Sequence, residues 1–247
     1  MRRRFFVEEF SNGRAALNGA LAHHLGRVLR AEPGQSYELS DGQAVWLARV
    51  ERVGRDAVEF ALVEPVAARQ SRLRATLLLA IVKFERFEWA LEKATELGVE
   101  TVVPLAAERS EKALVAAAAK RAERWTRILL ESAQQARCLR PPVLRPLVRA
   151  AEGFRANGAA IKVLLSERDS ALALRGVLQA ELGEANVAAQ ERVDLSLGVG
   201  PEGGWTDGEF NAAAGAGFRE AALGGNILRT ETAVVAGLAA AHLYFDD

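Results

Sequence analysis

Short apolar runs with partial period-two alternation mark the first part of the chain. Phe5-Phe6-Val7, Ser36 to Leu39, Ala44 to Val50 and Ala57 to Leu62 read as strands, with Asp41-Gly42 and Gly54-Arg55-Asp56 supplying turns. One short helix is predicted over Ala20 to Leu29. So few short strands need closure to hide their edges, which predicts a small β-barrel over residues 1–68. Pro65 to Arg74 has arginines and no apolar periodicity, and reads as a linker.

From Arg74 the pattern changes. Ala75 to Val82 is nearly continuous in apolar residues, as a strand buried on both faces of a parallel sheet requires. Phe84, Phe87, Leu91 and Ala94 then recur at helical spacing, with Gly98 as the stop. A strand at Thr101 to Leu105, a long helix from Ala113 to about Ala136 and a strand at Ile161 to Leu165 follow. A helix near Ala171 to Glu181, a strand from Val193 to Val199, a helix from Asp207, a strand near Ala221 and a helix from about Thr230 complete the series. Alternating β and α over residues 74–247 predicts an α/β domain with a mainly parallel sheet.

Half of the 247 residues are hydrophobic, enough for one large core or two modest ones. The 32 basic residues balance the 32 acidic ones, but their distribution is uneven. Residues 1–30 carry six arginines against two glutamates, residues 120–150 eight basic groups against two acidic, and residues 151–247 seven basic against fourteen acidic. That asymmetry suits a protein that meets a polyanion with one face, and solvated helix faces account for part of it. Cys138 is the single cysteine, and His23, His24 and His242 are too scattered for a metal site, so no metal is expected. Glu8 and Glu9 interrupt any signal-peptide core after Met1-Arg2-Arg3-Arg4, and no run reaches the length of a membrane span. A soluble, cytoplasmic protein is expected.

The candidate chemistry lies in two glycine-rich turns. Gly198-Val199-Gly200-Pro201-Glu202-Gly203-Gly204 ends one apolar strand; Leu223-Gly224-Gly225-Asn226-Ile227-Leu228-Arg229 follows another. Glycine permits positive φ and lets a ligand lie against bare backbone. Together the turns predict a backbone-lined slot, with Glu202 and Arg229 as the nearest charges; the alternative is a pair of tight turns with no ligand. Gly198, Gly200 and Gly203 also fit the dinucleotide fingerprint G-x-G-x-x-G. In that fold, however, the helix starts within the motif. Here Pro201 and two glycines hold the chain open, and Thr206 with Glu209 forms the better helix start, a capping box.

These residues resemble the RsmE family of bacterial 16S ribosomal RNA uracil-N(3)-methyltransferases, of the knotted SPOUT class. The resemblance covers nearly the whole chain. It is carried by Arg4-Phe5-Phe6-Val7, His24-Leu25, Lys83, Arg86, Lys93 to Val99, Arg109-Ser110 and Arg137. Its most specific marks are Gly200-Pro201-Glu202-Gly203-Gly204 with Glu209, and Leu223-Gly224 with Ile227 to Ala233. Asn226 departs from the pattern, since the family usually has a basic residue there, and Gln134 stands where a Glu is usual.

The resemblance implies a SPOUT-type trefoil-knotted domain preceded by a PUA-like RNA-binding barrel, S-adenosylmethionine as cofactor, 16S ribosomal RNA or the small subunit as partner, and a homodimer. It implies a cofactor slot of Leu165, Gly198, Gly200, Gly203, Leu223, Gly224, Asn226, Ile227 and Leu228. Arg229 is the candidate for stabilising charge on the uracil ring, or else an ion-pair partner of Glu231 or another carboxylate. Glu202 is the candidate base or orienter, or else an acceptor for backbone N–H groups of its own turn. Arg2, Arg3, Arg4, Arg27, Arg30, Lys83, Arg86, Arg109, Arg137 and Arg140 are candidates for RNA phosphates. A SPOUT enzyme on another RNA, a non-catalytic ribosome-assembly factor and a nucleotide-dependent oxidoreductase are the competing functions.

Overall fold

A computed structural model describes residues 3–68, 70–184 and 191–246, so Arg2 lies outside the described residues. The chain divides into two units, Met1–Gln70 with Ala133–Pro141, and Ser71–Ser132 with Pro142–Asp247.

The first unit contains β1 (Arg4–Phe6), β2 (Arg14–Asn18), α1 (Gly19–His23) continued by one π-helical stretch (His24–Val28), β3 (Ser36–Ser40), β4 (Val45–Val53) and β5 (Ala57–Pro65). The strands form a curled half-barrel in the order β1-β3-β4-β5-β2. Phe5, Leu17, Leu25, Leu39, Val50, Val58 and Phe60 fill it. The strand that periodicity missed is β2. Its alanines carry little strand preference, yet its burial alternates strictly, with Ala15 and Leu17 inward. β1 and β3 run parallel with Arg4 opposite Glu38, and the buried side chains of that pair meet at 2.9 Å. Arg4 also donates to the carbonyls of Arg137 and Cys138, which fastens the 133–141 segment within this unit.

The second unit is a parallel α/β domain. Its elements are β6 (Leu73–Ala80), α2 (Phe84–Glu96), β7 (Val99–Ala106), α3 (Lys112–Ala118), α4 (Ala122–Ala136), β8 (Val143–Leu144), β9 (Val148–Arg149), α5 (Ala150–Arg155) and β10 (Ile161–Leu165). β11 (Leu172–Ala173), α6 (Leu174–Glu184), β12 (Val193–Val199), α7 (Asp207–Gly215), β13 (Arg219–Ala222) and α8 (Thr230–Phe245) complete it. The sheet order is β11-β13-β10-β12-β6-β7-β8, with β9 also pairing β7, and every pair is parallel. The expected long helix is broken by a 3₁₀ turn at Ala119–Arg121. β8, β9 and α5 carry too few periodic residues to be legible beforehand.

The sheet is buried on both faces. Along β6, Leu77 and Leu79 enter the core shared with α2 and α8, while Leu78 and Ala80 enter the opposite core with Phe154 and Trp205. Gly198 belongs to this packing. A Cβ there would come within 2.7 Å of Leu164 Cδ1, so the missing side chain lets the second core close. Gly98 terminates α2 at φ +79°, the left-handed C-terminal geometry that glycine tolerates.

The end of α8 is fastened to the start of β6. Ser71 Oγ donates to Asp246 Oδ2 at 2.8 Å, the Arg72 N–H donates to Oδ1 at 2.8 Å, and His242 Nδ1 lies 2.9 Å from Oδ2. Burial opposes ionisation of Asp246, but the bonds from His242, Ser71 and the Arg72 backbone outweigh it and hold the carboxyl below its usual value. A carboxyl with a depressed folded pKa stabilises the fold above the unfolded value, about 3.9 for aspartate. That contribution is lost as pH falls through the folded value. Asp246→Asn is therefore expected to lower Tm at pH 7 and to flatten the acid limb of Tm as pH falls below about 4. Thermal unfolding across that range checks it; an acid limb as steep as the wild type's would show that Asp246 is not the titrating group.

Candidate active site

The C-terminal ends of β10, β12 and β13 open into a cavity of about 510 Å³, at the edge where parallel sheets place their ligands. Its walls come from three loops. Leu165, Ser166, Glu167, Arg168 and Asp169 follow β10; Gly200, Pro201, Glu202, Gly204 and Trp205 follow β12; Leu223 to Leu228 follow β13, and Thr230 and Ala233 of α8 close it.

Cross-links hold the loops in one arrangement. Trp205 is buried against Phe154, and its indole N–H donates to the Leu165 carbonyl at 3.2 Å. The Ser166 N–H donates to the Ala221 carbonyl at 2.9 Å, and the Thr230 hydroxyl to the Gly200 carbonyl at 2.9 Å. α7 starts at the expected capping box: the Thr206 side chain accepts from the Glu209 N–H, and Glu209 Oε2 accepts from the Thr206 N–H. The other Glu209 oxygen accepts from the Glu108 N–H at 2.9 Å, so this buried carboxylate is structural.

The two turns differ in exposure. The first is braced by its own Gly204 N–H to Pro201 carbonyl bond of 2.8 Å. In the second, residues 224–229 are exposed, and among the described residues the N–H groups of 224–228 donate no hydrogen bond within the protein. Ile227 is 79% exposed, and a Cβ added at Gly224 or Gly225 would meet nothing within 4 Å. This is a row of donors with open space before it.

Most of the expected slot residues line this cavity: Leu165, Gly200, Leu223, Gly224, Asn226, Ile227 and Leu228. Gly198 and Gly203 do not. Gly198 serves the core, as described, and Gly203 lies under the Arg109 side chain, whose Nη1 donates to the Gly203 carbonyl at 2.7 Å. The left-handed residue of the first turn is Gly204, at φ +69°. Sequence reasoning missed Glu167, Arg168, Asp169 and Trp205. The polar run directly after an apolar strand was the only signal for Glu167, Arg168 and Asp169, because ligands sit at strand C-termini.

Glu202 lines the cavity, and its partner is Arg86 of α2 at 2.6 Å rather than the backbone of its own turn. Arg229 is exposed in extended conformation as the N-cap of α8. It makes no ion pair among the described residues; Glu231 faces Arg86 instead, at 3.8 Å. A free guanidinium at the positive end of a helix dipole is electrostatically disfavoured.

The expected RNA contacts separate by environment. Arg4 is only 6% exposed and committed to Glu38 and two carbonyls, so it cannot reach a phosphate. Arg137 is 3.5 Å from Glu38, Arg86 holds two carboxylates, and Arg109 covers Gly203. Arg30, at φ +52°, and Lys83 are exposed, and neither side chain has a partner among the described residues. The described residues contain no group of three or more His, Cys, Asp or Glu that could hold a metal ion. No described helix is long and apolar enough to cross a membrane.

Residues 69–242 match the family model of the RNA methyltransferase domain, and residues 17–63 that of the RNA methyltransferase PUA domain. Over 235 residues the chain is 34% identical to the ribosomal RNA small subunit methyltransferase E of Synechocystis sp., spanning 94% of this chain and 74% of that protein. The crystal structure of the ribosomal RNA small subunit methyltransferase E of Neisseria gonorrhoeae bound to S-adenosyl methionine is 28% identical. It aligns with a TM-score of 0.83 over 99% of this chain and 98% of that one. A methyltransferase of Legionella pneumophila in complex with the bound cofactor SAM is 29% identical, with a TM-score of 0.81 over 99% and 98% of the two chains.

The two adjacent glycines of the first turn do different things. Gly204→Ala places a side chain in left-handed backbone, 3.3 Å from Glu167 Oε1, and is expected to cost about 1–2 kcal/mol. Gly203→Ala has ordinary φ and only the Arg109 stem to displace, so its cost is expected to be smaller. Urea denaturation of both variants decides this; equal losses would show that backbone handedness is not what Gly204 supplies.

Proposed function

The chain belongs to the ribosomal RNA small subunit methyltransferase E (RsmE) family, and from that premise we propose that it methylates N(3) of a uridine in 16S ribosomal RNA, using S-adenosylmethionine. One observation carries this reading: a cavity framed by the two glycine turns, one with a row of unpartnered backbone donors. Its volume lies in the range of about 300–1,000 Å³ usual for small-molecule sites. Apolar Leu165, Leu223 and Leu228 alternate there with backbone groups, which fits a nucleoside held by its edges and needs no phosphate cradle.

When bound, S-adenosylmethionine supplies an electrophilic methyl group on a positively charged sulfur. The backbone of residues 223–228 and Leu165 would hold its nucleoside part. Because the proposed contacts are to main chain, Asn226 serves as well there as the basic residue usual in the family.

Uracil N(3) carries a weakly acidic proton, which must leave for the nitrogen to attack. Arg229, which no carboxylate neutralises among the described residues, is the group we assign to stabilising the charge left on the ring. Glu202, fixed by Arg86, takes that proton or orients the base. A paired N(3) is unreachable, so the target nucleotide is unpaired or flipped out. Among the described residues, Arg3, Arg27, Arg30, Lys83 and Arg140 are the expected cations left free for phosphates.

The small ribosomal subunit or its RNA is the proposed partner, in the bacterial cytoplasm. Exposed Trp89 on α2 and Leu243 on α8 support a homodimer. A trefoil knot at the two turns, as the family resemblance implies, is part of this reading.

Calorimetry is expected to show binding of S-adenosylmethionine and none of NAD, which the fingerprint reading would require. Mass spectrometry of 16S ribosomal RNA from a strain lacking the gene should show one methyluridine missing, restored by the gene. In single-turnover methylation at saturating cofactor, Arg229→Ala should be slower by about 10²–10³. Arg229→Lys should fail nearly as badly, since an ammonium lacks the planar fork; near-normal rates in both would remove Arg229 from the reaction.

A second test separates two arginines. Arg30→Ala is expected to lower the slope of log K for RNA against log salt by about 0.7–0.9. Arg4→Ala leaves buried Glu38 with Arg137 at 3.5 Å as its remaining cation and should lower stability by about 1–3 kcal/mol, without moving the salt slope. A slope unchanged by Arg30→Ala would take that residue off the RNA surface.

A further inference from the structure

Arg86 has the residue type and partial exposure of a phosphate ligand, but its surroundings do not suit one. Its Nη1 is 2.6 Å from Glu202 Oε1, and its Nε is 3.8 Å from Glu231 Oε1. One cation between two carboxylates sits in a locally negative field, which repels a phosphate. The two carboxylates come from different turns: Glu202 from the turn after β12, and Glu231 from the first turn of α8, two residues beyond Arg229. Glu231 Oε2 is buried and has no hydrogen-bond partner, and among the described residues Arg86 is the only cation paired with this carboxylate. Losing it would leave a buried charge uncompensated. The base of the clamp is rigid, because Phe87, Ala90, Leu91 and Ala94 on the same helix are packed in the core.

Resting on the methyltransferase reading, we infer that Arg86 is a positioning residue. It locks Glu202 to the head of α8, so that the carboxylate of the first turn and Arg229 of the second keep one relative placement. The Thr230 hydroxyl on the Gly200 carbonyl is a second link across the same pair of turns. Arg86 is absent from the cavity wall while Glu202 is on it, so the arginine acts from behind.

The test combines RNA-binding salt slopes with single-turnover methylation of 16S ribosomal RNA at saturating RNA and cofactor. Arg86→Gln is expected to slow the transfer by about tenfold or more while leaving the salt slope of RNA binding unchanged. Arg86→Lys, which keeps the charge as a single point, should recover part of the rate. In the Glu202→Gln background the same Arg86→Gln change should add little, because the partner it holds is gone. A slope lowered by about 0.7–0.9 would make Arg86 a phosphate contact and overturn the inference. A normal rate in Arg86→Gln, or effects that multiply in the double variant, would overturn it as well. Should Arg86→Gln fail to fold, Arg86→Lys carries the same comparison: an intermediate rate with an unchanged slope supports the clamp, and a lowered slope removes it. A wild-type protein that transfers no methyl group to RNA would instead sink the methyltransferase reading, and the salt slopes would still decide between clamp and phosphate contact.

Discussion

A strand covered on both faces has no side chain to offer a ligand; it can present only its ends and the loops that leave them. β6, β10 and β12 are in that position, with Leu77, Val163 and Leu197 in one core and Leu78 and Leu164 in the other. The cavity that holds the glycine turns is accordingly at the C-terminal edge of the sheet. The same double burial explains why Gly198 sits inside the domain rather than in the cavity, since a Cβ there would strike Leu164.

Loops at such an edge need cross-links to act as one surface, because each is ordered only at the cost of its own chain entropy. The cavity has them at every join. Trp205 ties the loop after β12 to that after β10, Ser166 ties the latter to β13, and Thr230 ties α8 back to the turn after β12. What is left unbonded among the described residues, the N–H row of residues 224–228, is where we propose that the ligand binds. Arg229 leads directly out of that row into α8 and is neutralised by no carboxylate among the described residues, in keeping with charge stabilisation as its proposed role.

Charged residues divide by the same logic. Arg4 and Glu38 face each other across the parallel β1–β3 pair and are buried together, where a lone charge would be costly. Arg86 and Arg109 are spent on the turns, one on carboxylates and the other on a carbonyl. Of the cations that resemblance marks for RNA, Arg3, Arg27, Arg30, Lys83 and Arg140 keep their charge uncommitted among the described residues.

Local pattern was enough for the α/β alternation, the strands at Ile161–Leu165 and Val193–Val199, the Thr206–Glu209 capping box and the two glycine turns, because each depends on residues close together in the chain. Family resemblance then pointed to the methyltransferase domain and its PUA companion. Strand β2, with its alanines, and the short β8, β9 and α5 were beyond local reading; their burial is set by neighbours far along the chain. The partners of charges were equally out of reach. Arginine looks the same in sequence whether it faces solvent, a phosphate or a carboxylate 116 residues away, as Arg86 does at Glu202. Tertiary structure alone decided that Arg4 is buried, that Gly203 lies under Arg109, and that Glu167 and Trp205 share a wall with the glycine turns. Those facts depend on which segments meet, and a free charge or a bare backbone acquires its meaning only from what packs beside it.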